Sequence, residues 1–202
     1  TKLNSINKKA LNAQNDPILL KPFNDLEKYS NRGFSKATWT QRMFELDTHY
    51  VKNYGEFYDI LFVASDGLVF HSIKMEADFM QNLFKGELSN SKLSKSLHAN
   101  PKSQFIDYDY YLPSKEPASF FVVQINNNDV HLGWVIFQYS INAINSVLSA
   151  HKKLGKTGEN YLTNTDKIMI TQSRLIPENT SLQIKVDTEA PSRALKETVG
   201  HM

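Results

Sequence analysis

The chain has no cysteine among its 202 residues. That excludes disulfide frameworks, thiolate nucleophiles, iron–sulfur clusters and cysteine-based zinc sites. It also lacks any apolar run near the ~20 residues of a membrane-spanning helix, and no signal-peptide pattern opens it. Charge of one sign is scarce: 23 Lys and Arg stand against 21 Asp and Glu, a formal net charge of +2. No basic block carries interleaved aromatics, so no nucleic-acid partner is expected. There is no Gly-x-Ser-x-Gly elbow, Walker loop or dinucleotide fingerprint. Gly155-Lys156-Thr157-Gly158 has the wrong glycine spacing for a phosphate loop and reads as a connector. His71 and His131 lack the spacing of a metal motif. Asp47 and His49 lie two positions apart on a helix and so point to different faces. No catalytic residue, metal ligand or cofactor is expected from these patterns.

What is present is the composition of a globular domain: 41% hydrophobic and 22% charged residues, with 12 Phe and 9 Tyr. The length allows one domain, or one domain and part of another. Residues 2–14 can form a narrow-faced amphipathic helix, with Leu3, Ile6, Ala10 and Ala13 at helical spacing. Asp16-Pro17 breaks it, and a mixed segment follows to Lys36. Trp39, Met43, Leu46, Tyr50 and Tyr54 then advance by three or four, a helix ended at Gly55. Phe57–Ala64 and Leu68–His71 flank Ser65-Asp66-Gly67, a hairpin signal. Short helical pieces occupy 74–99. Gln104–Tyr108, Ala118–Ile125 and Val130–Tyr139 read as strands, with Asp109–Pro117 a loop and Asn126–Asp129 a turn. Ile141, Ile144, Val147 and Leu148 put an apolar stripe on a helix reaching Lys153.

This order predicts an α+β fold: a PAS-like, five-stranded antiparallel sheet flanked by helices, with a long N-terminal helix. It closes at about residue 153, giving a module over 1–153. Residues 154–202 then read as the truncated start of a second module. There Tyr161–Asn164 and Lys167–Thr171 form a hairpin across Thr165-Asp166, and Ser192–Val199 is helical. The chain opens on Thr1 and closes on Gly200-His201-Met202; we expect it to be a piece of a larger protein, with any membrane anchors outside it.

Several short motifs, in order, resemble one family. They are Phe57-Tyr58-Asp59-Ile60-Leu61-Phe62-Val63 with Asp66-Gly67, and Asp78-Phe79 with Asn82-Leu83 and Gly86. Asp107-Tyr108, Tyr111-Leu112-Pro113-Ser114 and Pro117-Ala118-Ser119-Phe120 follow. Then come Gly155-Lys156-Thr157-Gly158-Glu159-Asn160-Tyr161-Leu162, Met169, Ser173-Arg174, Val186-Asp187-Thr188 and Ala194-Leu195. Over about 56–199 the chain resembles the double-Cache extracytoplasmic sensor domains of bacterial methyl-accepting chemotaxis proteins and sensor histidine kinases. The helix from Trp39 to Tyr54 lacks the tyrosine, arginine and tryptophan pattern of the amino-acid-binding members.

The resemblance implies a non-enzymatic, periplasmic or extracellular sensor of a small molecule, anchored by transmembrane helices outside this chain. Chemotaxis receptor, kinase and cyclic-dinucleotide enzyme all remain open as outputs. It also implies a weak homodimer through the N-terminal helix, whose exposed stripe would meet its mate. In a PAS-like sheet the solute sits between the inner face and the covering loop. A mainly apolar wall with a few placed polar groups suits that role, and Asp107, Tyr108, Tyr110, Tyr111 and Ser114 supply one. The competing assignment for these residues is sheet packing and turn hydrogen bonds. At least one of the three tyrosines is expected to line a cavity of roughly 300 Å3 or more. Two rival functions are a docking domain for a periplasmic solute-binding protein and a hydrolase. The first would need a large apolar patch without a cavity; the second has no nucleophile–base pair at recognisable spacing.

Overall fold

The protein is described here from a computed structural model that covers residues 8, 10, 12–30, 44–149 and 155–196. Five antiparallel strands, β1 (Asp59–Ala64), β2 (Val69–Ser72), β3 (Gln104–Tyr111), β4 (Glu116–Asn127) and β5 (Val130–Ser140), form one sheet in the order β2-β1-β5-β4-β3. Helices α1 (Pro17–Ser30) and α2 (Phe44–Tyr54) precede it. Helix α3 (Lys92–Ala99) lies between β2 and β3, α4 (Ile141–Ser149) follows β5 directly, and α5 (Glu189–Ala194) comes last. The α+β, PAS-like expectation holds.

The chain divides into two compact units. One holds Thr1–Ile106, Leu112–Ser114 and Phe120–Gln138; the other holds Asp107–Tyr111, Lys115–Ser119 and Tyr139–Met202. In the first, β1 is buried along its whole length and pairs with β5 from Asp59↔Gln138 to Ala64↔Gly133. Successive side chains alternate faces, so Ile60, Phe62 and Phe137 share one. Phe23 of α1 lies 6.2 Å from Phe62, and Tyr54 of α2 lies 5.5 Å from Phe137, centroid to centroid. The aromatic richness of the sequence is spent here, fastening helices to the sheet.

Two glycines are fixed by geometry. Gly67 takes φ +92° in the β1–β2 turn, and a Cβ there would collide with the Phe84 ring. Gly133 takes φ +146°, and its Cβ would collide with the carbonyl oxygen of Val63 across the ladder. Only glycine adopts such conformations without strain.

Three expectations need correction. The chain does break at Asp16, which is extended, but the segment after Asp16-Pro17 is a helix, α1, because Pro17 also begins the next one. Proline lacks only an N–H that a first helical residue would leave unpaired, and the Asp16 carboxylate caps the turn, accepting from the Ile18 N–H at 3.0 Å. The segment 109–117 is mostly strand, since β3 runs on to Tyr111 and β4 starts at Glu116. Lys115 turns the corner at φ +55°. Finally, Ala10 and Ala13 are fully buried within this chain, not exposed for a dimer mate; small side chains at helical spacing allow close packing as readily as a surface stripe. Leu3 and Ile6, the rest of the N-terminal helix to residue 7, and Trp39 and Met43 lie outside the described residues.

Among the described residues, 155–196 have little regular structure. Single bridges join Thr163 to Met169 and Ile168 to Lys185, placing a turn at Thr165-Asp166. The last helix covers Glu189–Ala194, earlier than the expected 192–199.

Candidate functional site

The second unit gathers the end of β3, the start of β4, the first turns of α4 and the loop 179–183 around a cleft of about 530 Å3. Asp109 and Tyr110 come from β3, and Lys115, Glu116 and Pro117 from the β3–β4 corner. Ile141, Asn142 and Asn145 come from α4, and Asn179, Ser181, Leu182 and Gln183 from the loop.

Each wall has a local cause. Asp109 folds back to accept from the Tyr110 N–H at 2.9 Å, and Tyr110 is 53% exposed. The Ser140 hydroxyl caps α4 by accepting from the Asn142 N–H at 3.1 Å, so the asparagines three positions apart fall on one face. The Asn142 amide donates to one Glu116 carboxylate oxygen at 3.1 Å. The other Glu116 oxygen is buried without a hydrogen-bond partner among the described residues. The loop is held by buried Thr180, whose hydroxyl accepts from the Ser173 N–H at 2.7 Å, and by Leu182, whose N–H donates to Met169 at 2.8 Å. Leu182 itself takes φ +58°. Upstream, Glu159 accepts from the Ser173 hydroxyl at 2.6 Å, and Arg174 donates to the carbonyls of Gly155 and Gly158. The connector is thus tied to the loop's own anchor.

The five residues singled out from sequence separate. Only Tyr110 lines the cleft. Tyr108 is buried, packing with Ile141 and Ile170 and flanked by Tyr139 and Ile144. Burial pushes its hydroxyl up to about 12, opposed by Ser119 and reinforced by the charges of Asp107 and Glu116. That hydroxyl makes no well-formed hydrogen bond among the described residues. Asp107 accepts from the N–H groups of Tyr108 at 2.8 Å and Thr165 at 3.3 Å. Tyr111 is 1% exposed, and Ser114 is half-buried in the β3–β4 corner. Burial along β3 does not alternate past Tyr108, which leaves Tyr108 buried and Tyr110 exposed.

Sequence reasoning missed Glu116, the two asparagines and the loop. The asparagine pair was visible beside the apolar stripe of α4, since Asn142 and Asn145 interrupt it at helical spacing. Nothing comparable marks residues 179–183, which have no periodicity.

The first unit contains a different polar group. Asp59, fully buried, accepts from the Ile60 N–H at 2.7 Å, the Lys74 N–H at 3.0 Å and the Ser72 hydroxyl at 3.1 Å. Burial pushes its carboxyl up to about 7. The Lys74, Ile60 and Ser72 hydrogen bonds pull the other way, and the charge of Asp78 adds to the rise. The group pins β1 to the segment after β2. His71, also buried, lies 3.2 Å from Asp47, and His49 lies 2.7 Å from Asp16; the two α2 residues do face different partners. No group of three or more acidic or histidine side chains suited to a metal ion occurs among the described residues. No helix among them is long and apolar enough to cross a membrane.

No family model matches the sequence, and no curated protein matches it. Solved structures do share its fold. The extracellular domain of vpHK1S-Z8, assigned as a histidine kinase, superposes with a TM-score of 0.55 at 15% identity, over 98% of this chain and 76% of that one. That of mmHK1S-Z3, also assigned as a histidine kinase, gives 0.54 at 11% identity, over 81% and 66%. The sensor domain of the V. cholerae histidine kinase DctB gives 0.53 at 11%, over 81% and 58%. The chain therefore spans about two thirds of the length of the mmHK1S-Z3 domain and less of the DctB domain. Its fold is the PAS-like, Cache-type α+β fold of these sensor domains.

Proposed function

We propose that this chain is the extracytoplasmic sensing region of a bacterial transmembrane receptor and that it binds a small solute without transforming it. The observation that carries the proposal is the cleft of about 530 Å3, which falls within the ~300–1,000 Å3 of small-molecule sites. It combines apolar surface from Pro117, Ile141 and Leu182 with a few placed polar groups. The fold shared with extracellular and sensor domains of histidine kinases supports the same reading, as does the order of the sequence motifs.

In this account Tyr110 touches the solute. Tyr108 backs the first turns of α4, Asp107 braces the strand end against the Thr165 turn, and Tyr111 and Ser114 set the strand end and the corner. Residues 1–153 act as the membrane-distal module and 154–202 as the opening of a membrane-proximal one. Binding would bias two arrangements of the module, and only a difference in affinity between them can do so. A docking domain with no cavity is the weaker reading because the cleft exists.

The test is a melting-temperature screen of the chain against amino acids, organic acids and amines. A solute at about 100 times its dissociation constant adds ~2.7 kcal/mol of stability, so a cognate solute raises the midpoint by several degrees. A panel without any such shift, or saturable turnover of a generic ester, phosphate or glycoside, overturns the proposal.

A further inference from the structure

The first unit keeps a carboxyl group where an ionised form has no counter-charge. Asp59 opens β1 and is fully buried. Among the described residues, every hydrogen bond it accepts comes from a neutral group: the Ile60 and Lys74 N–H groups and the Ser72 hydroxyl. The segment after β2 also brings the buried carboxylate of Asp78, whose charge repels that of Asp59. The other charges of that segment are engaged elsewhere. The Lys74 ammonium lies over the Tyr58 ring, 5.0 Å from its centroid, and Glu76 accepts from the Tyr58 hydroxyl at 2.6 Å. From α2, the Tyr50 hydroxyl donates to the Phe57 carbonyl at 2.6 Å. Burial, then the charges of Asp59 and Glu56, push that hydroxyl up to about 12, so it stays protonated at neutral pH.

The surroundings of Asp59 accommodate its acid form. Oδ1 accepts from two backbone N–H groups, which cannot reverse, so a proton goes to Oδ2. From β5, Gln138 stands directly opposite Asp59 on the ladder and therefore on the same face. Its amide is fully buried, and neither its oxygen nor its nitrogen has a hydrogen-bond partner among the described residues. Facing side chains start only about 5 Å apart, so the Gln138 carbonyl is an acceptor for that proton.

The ionised form is relieved when water reaches it, and the segment that separates the two is short. Lys74 and Ala77 are exposed, so this stretch borders solvent. It is held by the Lys74 N–H on Asp59 and by the Met75 N–H on the Ser72 hydroxyl at 2.9 Å. Met75 sits at φ +51°, in the left-handed region, a strain that release would remove.

We infer that Asp59 is a proton-operated latch: as an acid it holds residues 74 and 75 down on the sheet, and as a carboxylate it favours their release. The latch depends neither on the cleft nor on any solute. Burial holds the closed carboxyl up to about 7, while water returns the open one to near 4. Closure is therefore strongest below about pH 4, weakens as pH rises and levels off above about 7.

The experiment follows amide hydrogen exchange of the whole chain by NMR at about pH 5 and pH 8, with each rate corrected for the intrinsic effect of pH. The unaltered chain is compared with Asp59→Asn, which keeps an acceptor oxygen and cannot ionise. In the unaltered chain, Lys74 and Met75 should lose roughly tenfold or more in protection between the two conditions. They should also stay less protected than Ile136 in the sheet, and Asp59→Asn should show no such loss. Unchanged protection at Lys74 and Met75, or an equal loss in Asp59→Asn, overturns the inference. Exchange in step with Ile136 at both pH values also overturns it, because that marks global unfolding in place of a latch. Should Asp59→Asn fail to fold, the side-chain carboxyl carbon of Asp59 is titrated in the unaltered chain. A midpoint at or above about pH 5.5 supports the latch, and a lower one overturns it.

Discussion

At the scale of single residues, three neighbouring tyrosines differ in burial, and truncation separates them. Tyr108→Ala and Tyr111→Ala remove buried rings and should cost about 3–5 kcal/mol of stability, as large core aromatics do. Tyr110→Ala removes a half-exposed ring and should change stability by no more than about 1 kcal/mol. Denaturant unfolding of the three variants checks this; equal losses at all three would mean that Tyr110 is core. Asp59 makes a second prediction at this scale. Its folded pKa, about 7, lies above the ordinary carboxylate value near 4. Between those values the folded chain keeps a proton that the unfolded chain has lost. Its contribution is therefore fully present below about pH 4, declines as pH rises and levels off above about 7. Stability measured from pH 4 to 8 should fall less steeply in Asp59→Asn than in the unaltered chain. Identical slopes would show that Asp59 is already ionised across that range.

At the scale of elements, legibility followed periodicity. The β1–β2 hairpin, β4, β5 and α4 could be read because their apolar residues repeat at two or at three to four and their ends carry turn residues. Helix α1 could not, since Asp16-Pro17 is equally a break and a helix start. The difference lies in where the Asp16 carboxylate points. It accepts from Ile18, from the Tyr54 hydroxyl at 3.0 Å and sits 2.7 Å from His49. Burial alone would raise its carboxyl, but hydrogen bonds from His49, Tyr54 and Ile18 outweigh this and hold it below the ordinary range. Asp16→Ala should cost about 1–3 kcal/mol, of which the cap accounts for ~1. Asp16→Asn, which keeps a capping oxygen, should cost less. A null effect of Asp16→Ala on the urea midpoint would mean that α1 is not fastened to α2 through this residue. The end of β3 was misread for a related reason: Tyr110, Pro113 and Pro117 resemble a loop, whereas only four residues, 112–115, form the corner. The cleft was legible through Tyr110 alone, because beyond the neighbouring β3–β4 corner its walls come from segments about 30 to 70 positions away that only folding brings together.

At the scale of the whole molecule, the cleft lies in a fold shared with histidine-kinase sensor domains. The first unit is packed with aromatics, and the second contains a cleft walled by two strand ends, a helix and a loop. If the cleft binds a solute, binding depends on Tyr110 while folding does not. The direct measurement is the calorimetric affinity of the best solute from the screen, taken on the unaltered chain and on Tyr110→Ala. The account predicts a loss of about 1–3 kcal/mol, roughly 5- to 150-fold in dissociation constant, at an unchanged unliganded melting temperature; equal affinity for the two chains would contradict it.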